Sequence, residues 1–354
     1  MKTRIFRNKK LIDRDKEINF LLDWFNQLPE LILWVYGPKS SGKTTLIEYV
    51  VEKELIKDFK LLQNSRYWIK YINLRRTLVS SYESFIESFF EESGIEKKTE
   101  ELNRIYDLWV FKLEAKTLKA IKERRINLFK KLIEELGKID KQKIIIIDEI
   151  QTLEDIYING DRELLKEFLN FCVSLTKETH LSHVVILSSN TVFIDRIYND
   201  AKLKKTSEFF KVDHLDKSIV VEWLSGEGFK ENDIELIWDY LGGCIPDIQR
   251  MMMLKDKYKS IKEYLEHRAF LAYTEMVMMY QQSKFSKEEI EIFENICKEI
   301  LNNGSFVLSK DRDSKYLEVI SKWAEKEILF FDPLTLEVKG NSRIYEKGME
   351  KLEL

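Results

Sequence analysis

Residues 31–44 read Leu31-Ile32-Leu33-Trp34-Val35-Tyr36-Gly37-Pro38-Lys39-Ser40-Ser41-Gly42-Lys43-Thr44. Six apolar residues without a break predict a strand buried on both faces, as in a parallel sheet. The next eight follow the spacing GxxxxGK[ST], and the pattern predicts a helix from Lys43 to about Lys57 directly after them. A phosphate-binding turn demands that context. Its glycines let the chain curl so that successive N–H groups point inward at anionic oxygens. The helix start adds the positive end of its dipole, Lys43 a point charge and Thr44 a hydroxyl for a metal ion. Glycine is scarce, 12 of 354 residues, which weighs against an ordinary glycine-rich turn.

Four further strand patterns lie outward from that turn: Tyr67 to Ile72, Ile144 to Ile147, Val184 to Leu187 and Phe209 to Val212, with no polar residue in Ile144 to Ile147 or Val184 to Leu187. Helical patterns separate most of them, so the expectation is a doubly wound α/β sheet over roughly residues 30–212. The third run continues into Asp148-Glu149, two carboxylates at the strand end where such sheets bind ligands. Asp148 would hold Mg²⁺. Glu149 would orient and deprotonate an attacking water, which points to hydrolysis rather than transfer to an acceptor. The fourth run ends in Ser188-Ser189-Asn190. If that strand lies between the first and third, Ser189 or Asn190 can sense a γ-phosphate or hold the water; the same residues would equally cap a helix starting at Thr191.

Composition sets the outer bounds. Apolar residues make up 44% and charged residues 34%, enough for a real core. A formal charge of −3 excludes a globally basic nucleic-acid binder but leaves local patches open. Cys172, Cys244 and Cys297 are far apart and lack CxxC spacing, so no disulfide framework or cysteine-rich zinc site follows, and a reducing, cytoplasmic setting is expected. His180 and His183 form a weak i, i+3 pair without a third ligand and are expected on a loop before the fourth strand. The start, Met1-Lys2-Thr3-Arg4, is polar, and no apolar run approaches the length of a spanning helix, so no membrane partner is expected.

Between the second and third strands the pattern predicts a long helical stretch, an insertion at about 97–143. Within it, residues 112–131 hold Lys112, Lys116, Lys119, Lys122, Arg124, Arg125, Lys130 and Lys131 against Glu114 and Glu123. That is either a solvated face or a docking stripe for phosphates or an acidic protein. Beyond Asp213 short helices surround Leu241-Gly242-Gly243-Cys244-Ile245-Pro246. The Met251-Met252-Met253 run and Met276, Met278 and Met279 read as adaptable core. The tail then gives a helix from Lys287 to Leu301, a turn at Asn302-Asn303-Gly304 and a helix from Ser314 to Glu325. A hairpin around Asp332-Pro333-Leu334-Thr335 and a last helix from about Ile344 follow, an order that fits a winged helix.

Taken in sequence, several motifs resemble the archaeal ATPase family of the AAA+/STAND group of P-loop NTPases. They are Asp13-Arg14-Asp15-Lys16-Glu17, Gly37 to Thr44, Asp148-Glu149-Ile150-Gln151, Ser188-Ser189-Asn190, Gly242-Gly243 with Pro246, and Ile328 to Pro333. The resemblance implies an α/β fold in which a P-loop ASCE parallel sheet flanked by helices is followed by a small helical lid and a winged-helix domain. Its expected bounds are 1–212 for the core, 213–275 for the lid and 284–354 for the winged helix. It also implies an ATP–Mg²⁺ site. The nucleotide would be bound by Gly37, Pro38, Lys39, Ser40, Ser41, Gly42, Lys43, Thr44 and Thr45, with Arg14 and Pro246 near adenine. Thr44 and Asp148 would serve the metal, and Lys43, Glu149, Ser189 and Asn190 the reaction. Where relatives carry an arginine before the fifth strand this chain has Lys205-Thr206, which leaves Arg250 and Arg196 as alternative arginine fingers.

The expected function is an ATP-hydrolysing switch acting on DNA or in a DNA-associated complex, with residues 112–131 and 310–326 as the contacts to double-stranded DNA. The alternative is a STAND-type switch gating a protein partner or self-association without touching nucleic acid. Residues 284–354 carry 12 Lys/Arg and 15 Asp/Glu, unusual for a DNA reader, although Lys310, Arg312, Lys315, Lys322 and Lys326 cluster locally. A small-molecule kinase fits less well, because Glu149 and the tail would then have no role.

Overall fold

The structure, a computed structural model, describes residues 3–7, 9–57, 65–74, 79–93, 111–154, 156–158, 162–200, 203–282, 285–310 and 314–352. Five strands form the central sheet: β1 (Ile32–Tyr36), β2 (Tyr67–Asn73), β3 (Gln142–Asp148), β4 (Ser182–Ser188) and β5 (Ser207–Lys211). Their spatial order is β5-β1-β4-β3-β2, every neighbouring pair parallel. The unbroken apolar runs explain the parallel pairing, since both faces must be covered. Ile32, Trp34, Ile145, Ile147, Val184 and Ile186 pack into one core. Their alternate neighbours Leu33, Val35, Ile144, Ile146, Val185 and Leu187 pack into the other.

Register decides where function can sit. Ser188 pairs with Tyr36, Leu187 with Asp148, and Asn73 with Asp148. The ends of β1, β4, β3 and β2 therefore stand side by side at one edge, and β4 lies between β1 and β3.

Several expectations need correction. Residues 112–131 are not one helical stripe. A short strand (Phe111–Leu113) pairs in parallel with Phe90–Glu92, and two helices, Ala115–Lys122 and Leu128–Gly137, follow. Arg124 at φ 62° sits in the break between them, a left-handed conformation that cannot continue a helix. Residues 94–110, which include the start of the expected insertion, lie outside the described residues. The helix after the phosphate turn is α-helical only over Lys43–Tyr49 and continues as a π-helix over Val50–Ile56. Of the expected Met core, Met251 and Met276 are buried, whereas Met253 is 80% and Met278 50% exposed.

His183 is not on a loop. β4 begins one residue before it, and the ring packs edge-on against Phe25 in the helix Asp15–Asn26, centroids 5.6 Å apart. Burial pushes its pKa from 6.5 down to about 4, against the pull of the Gln27 and Phe25 carbonyls. Below the unfolded pKa the unfolded chain takes up a proton that the folded chain refuses. Stability present above about pH 6.5 is therefore lost as pH falls toward about 4. At roughly 1.4 kcal/mol per pKa unit the loss is about 3 kcal/mol. Urea melts of wild type and His183→Leu near pH 7 and near pH 4.5 should show the wild type losing about 2–3 kcal/mol more than the variant; parallel declines would sink the assignment.

Helices Lys217–Gly226, Glu231–Leu241, Ile245–Leu254 and the long Ile261–Gln282 follow the sheet. Helix Lys287–Asn303, capped reciprocally by Ser286 and Glu289, opens the C-terminal unit. Strand Phe306–Val307, helix Ser314–Glu325 and strands Leu329–Asp332 and Glu337–Gly340 complete it, the three strands antiparallel with Glu337–Gly340 central. That is the helix–strand–helix–hairpin order of a winged helix. All three cysteines are buried and unpaired. No helix among the described residues is long and apolar enough to cross a membrane.

Candidate functional site

The turn leaving β1 takes a path open mainly to glycine. Gly37 has φ 146°, and a Cβ there would lie 2.2 Å from the Val212 carbonyl oxygen. Gly42, at φ 95°, turns the chain left-handed just before the helix. Lys43 is 8% exposed. Its ammonium folds back to donate to the carbonyls of Gly37 at 3.0 Å and Pro38 at 2.8 Å. Burial pushes its pKa down to about 8, although Asp148, Glu149 and Asp213 favour the charged form.

At the tip of β3 the Thr44 hydroxyl donates to Asp148 Oδ2 at 3.0 Å. Tyr71 donates to the same oxygen at 2.9 Å and Asn73 Nδ2 at 3.2 Å. Glu149, left-handed at φ 64°, accepts at Oε2 from Gln151 Nε2 at 2.5 Å. A cavity of about 270 Å³ opens between these groups. Its wall consists of Lys39, Ser40, Gly42, Lys43, Thr44 and Thr45 from the turn, Asp148 and Glu149 from the end of β3, Ser189 from the tip of β4 and Pro246 from the start of helix Ile245–Leu254.

The structure thus brings together most of the residues singled out in the sequence, with differences in role. Gly37, Pro38 and Ser41 shape the turn from behind the wall. Arg14, 4% exposed, is not on the wall either: it donates to the Ser41 carbonyl at 2.8 Å and the Asp213 carbonyl at 2.7 Å, with Glu17 as counter-ion. It braces the turn from below. Asn190 uses its side-chain oxygen to accept from Phe193 N at 3.0 Å, capping the helix Thr191–Asp200. Arg250 lines a second cavity of about 360 Å³ that shares Lys39 and Ser40 with the first. The side chain of Arg196 lies outside the described residues.

Contacts from the C-terminal unit to the turn were not legible in the sequence. Asn341 Oδ1 accepts from the Lys39 backbone N–H at 3.2 Å, and Glu327 pairs with the Lys39 ammonium. Asp332, 3% exposed, accepts from the Tyr36 hydroxyl at 3.2 Å and pairs with Lys211 at 3.2 Å. Tyr71 and Asn73 were missed as well, and Gln151, quoted in the run after Asp148, was given no role. The available signal was position: Tyr71 and Asn73 are polar groups two apart, on one face at the end of a strand.

The donor set can be tested against a metal-bound triphosphate. Thr44 and Asp148 offer hard oxygens on the cavity wall beside Lys43, which suits Mg²⁺ carried in on phosphates. Among the described residues no cluster of three or more His, Cys, Asp or Glu could hold a metal ion.

Comparison with known proteins places the family. The family described as an ATPase domain predominantly from Archaea matches residues 11–251. An uncharacterized ATP-binding protein of Methanocaldococcus jannaschii is 33% identical, with 91% of each chain covered. A second from the same organism is 31% identical, covering 94% of this chain and 96% of the relative. Among solved structures, a Walker-type ATPase of Pyrococcus abyssi superposes with a TM-score of 0.58 at 15% identity, covering 96% of both chains; that likeness speaks to fold alone. With its phosphate turn, acidic strand tip and family match in agreement, the chain belongs to the archaeal ATPase family.

Proposed function

We propose that the chain binds ATP with Mg²⁺ in the 270 Å³ cavity and hydrolyses it, and that the phosphate site controls the position of the C-terminal unit. The observation that carries this is the meeting of Thr44 and Asp148 at 3.0 Å beside Lys43, with Glu149 at the same mouth. Mg²⁺ would be held by Thr44 and Asp148 and would supply charge neutralisation at the phosphates. Lys43 binds the triphosphate, Ser189 faces it, and Glu149 takes the proton of the attacking water. Pro246 closes the cavity from the lid.

The Lys39 contacts with Asn341 and Glu327 favour a protein-gating switch, because the C-terminal unit already grips the turn that receives the phosphates. The DNA reading, through residues 112–131 and 310–326, has a weaker basis. Lys315 and Lys322 pair with Glu288 and Glu289 of the preceding helix. Lys122 pairs with Glu87, and Lys131 with Glu134 and Glu135. Residues 311–313 lie outside the described residues.

One experiment separates the two. ATP turnover with Mg²⁺ is measured while labelled duplex DNA is titrated between about 50 and 200 mM salt. We expect Mg²⁺-dependent turnover that duplex leaves unchanged, and a nearly flat dependence of log K on log salt. A slope steeper than about −3, meaning three or more neutralised phosphates, would return the function to DNA.

A further inference from the structure

The geometry points to Gln151 as a positioning residue that fixes the Glu149 carboxylate and ties it to the tip of β4. The inference rests on Glu149 being the base. A glutamate side chain has several freely turning bonds, and the left-handed backbone at Glu149 sets only the direction of its first bond. Gln151 lies two residues on, in the single 3₁₀ turn Ile150–Leu153, and its Nε2 donates to Glu149 Oε2 at 2.5 Å. Its other end, Oε1, lies 3.4 Å from Ser188 Oγ, whose one proton it shares with the Asn190 carbonyl, also at 3.4 Å, and Ser188 Oγ accepts from the Asn190 backbone N–H at 3.1 Å. Ser188 is 1% exposed and closes β4; Ser189, the next residue, faces the cavity. A continuous path therefore runs from the β4 tip, through Ser188 and Gln151, to the carboxylate.

Glutamine is the side chain this bridge calls for. It carries donors on one end and an acceptor on the other, and only the NH₂ end can face a carboxylate. A glutamate would set a second negative charge against Glu149; an alanine would take the amide donor away from its Oε2. Nor is Gln151 needed to build the turn. Thr152 N donates to the Glu149 carbonyl at 3.1 Å, Glu154 N donates to the Gln151 carbonyl at 3.0 Å, and Ile150 and Leu153 are fully buried. The turn is held by its main chain and its apolar anchors, which frees the amide for positioning.

The test uses the full chain with Gln151→Ala, Gln151→Glu and Ser188→Ala. Three quantities are read: equilibrium affinity for ATP and ADP, turnover number, and trapping of Mg²⁺·ADP by aluminium fluoride, which seats a water in line. We expect Gln151→Ala to lose about 100-fold in turnover, the scale of a misplaced reacting group, and to lose trapping in proportion. Nucleotide affinity should stay within about threefold, since no phosphate contact is removed. Gln151→Glu should do no better, and Ser188→Ala should show a smaller loss of the same kind. In a Glu149→Gln background Gln151→Ala should cost nothing further, because the two side chains act as one unit.

Turnover and trapping by Gln151→Ala at the wild-type level overturn the inference. So does an equal loss of affinity and turnover, which would mark a structural residue. A Glu149→Gln variant as fast as wild type is a distinct result: it removes the base itself, and the positioning role with it.

Discussion

Lys43→Ala is expected to weaken ATP binding by at least about 100-fold, near 3 kcal/mol, the scale of a lost set of charge-assisted contacts. The ammonium is buried and held on the carbonyls of Gly37 and Pro38, at the rim of the cavity that the phosphates would enter. Its pKa of about 8 records the work of keeping that charge out of water. A triphosphate would give the ammonium a far better partner than two neutral carbonyls, so the stored desolvation favours the bound state. Removing the side chain takes away the attraction and the desolvation together. Thermal stability should therefore hold within a few degrees while binding is lost, which separates a site defect from unfolding. Titration of a fluorescent ATP analogue with Mg²⁺, beside a thermal melt, reads both. Affinity within fivefold of wild type at an unchanged melting temperature would detach Lys43 from the phosphates.

What the sequence made legible was contiguous. Leu31 to Thr44 carries its strand, turn and helix start in one run, and the isoleucines before Asp148 carry theirs. The order of motifs then suffices for the parallel sheet and the helix–helix–hairpin tail, because each element declares its own period, whereas the two-residue strand Phe306–Val307 is too short to declare one. Contacts assembled by folding were out of reach. Tyr71 and Asn73 reach Asp148 only because β2 pairs with β3, and Gln151 meets Ser188 only because β4 lies beside β3. Asn341 comes to Lys39 across most of the chain.

The corrections share a cause. A local pattern gives a residue's type of element, not the neighbour that will claim its side chain. His183 read as loop surface and instead packs edge-on against Phe25. The basic residues of 112–131 read as one face, but two helices meeting at Arg124 divide them.

Glu149→Gln is expected to keep ATP binding and lose turnover by about 10²–10⁴-fold, the usual cost of deleting a positioned base. The change preserves size and leaves Thr44, Asp148 and Lys43 untouched, so the groups proposed to grip phosphates and metal remain. It also removes a negative charge from the cavity wall. Repulsion toward a triphosphate falls, and affinity should hold or rise modestly. Binding and turnover should then move in opposite directions, a signature that neither misfolding nor loss of Mg²⁺ reproduces, since both would weaken the two together. Single-turnover measurements with saturating enzyme isolate the chemical step from product release. The Asp148→Asn variant sharpens the contrast: its carboxylate accepts from Thr44, Tyr71 and Asn73, so its loss should impair Mg²⁺-dependent binding as well as turnover. If Glu149→Gln hydrolysed ATP at the wild-type rate, water activation would have to come from another group at the cavity. Ser189 is the remaining polar side chain there from the strand between β1 and β3, and with its hydroxyl neutral at physiological pH it would be a far weaker base.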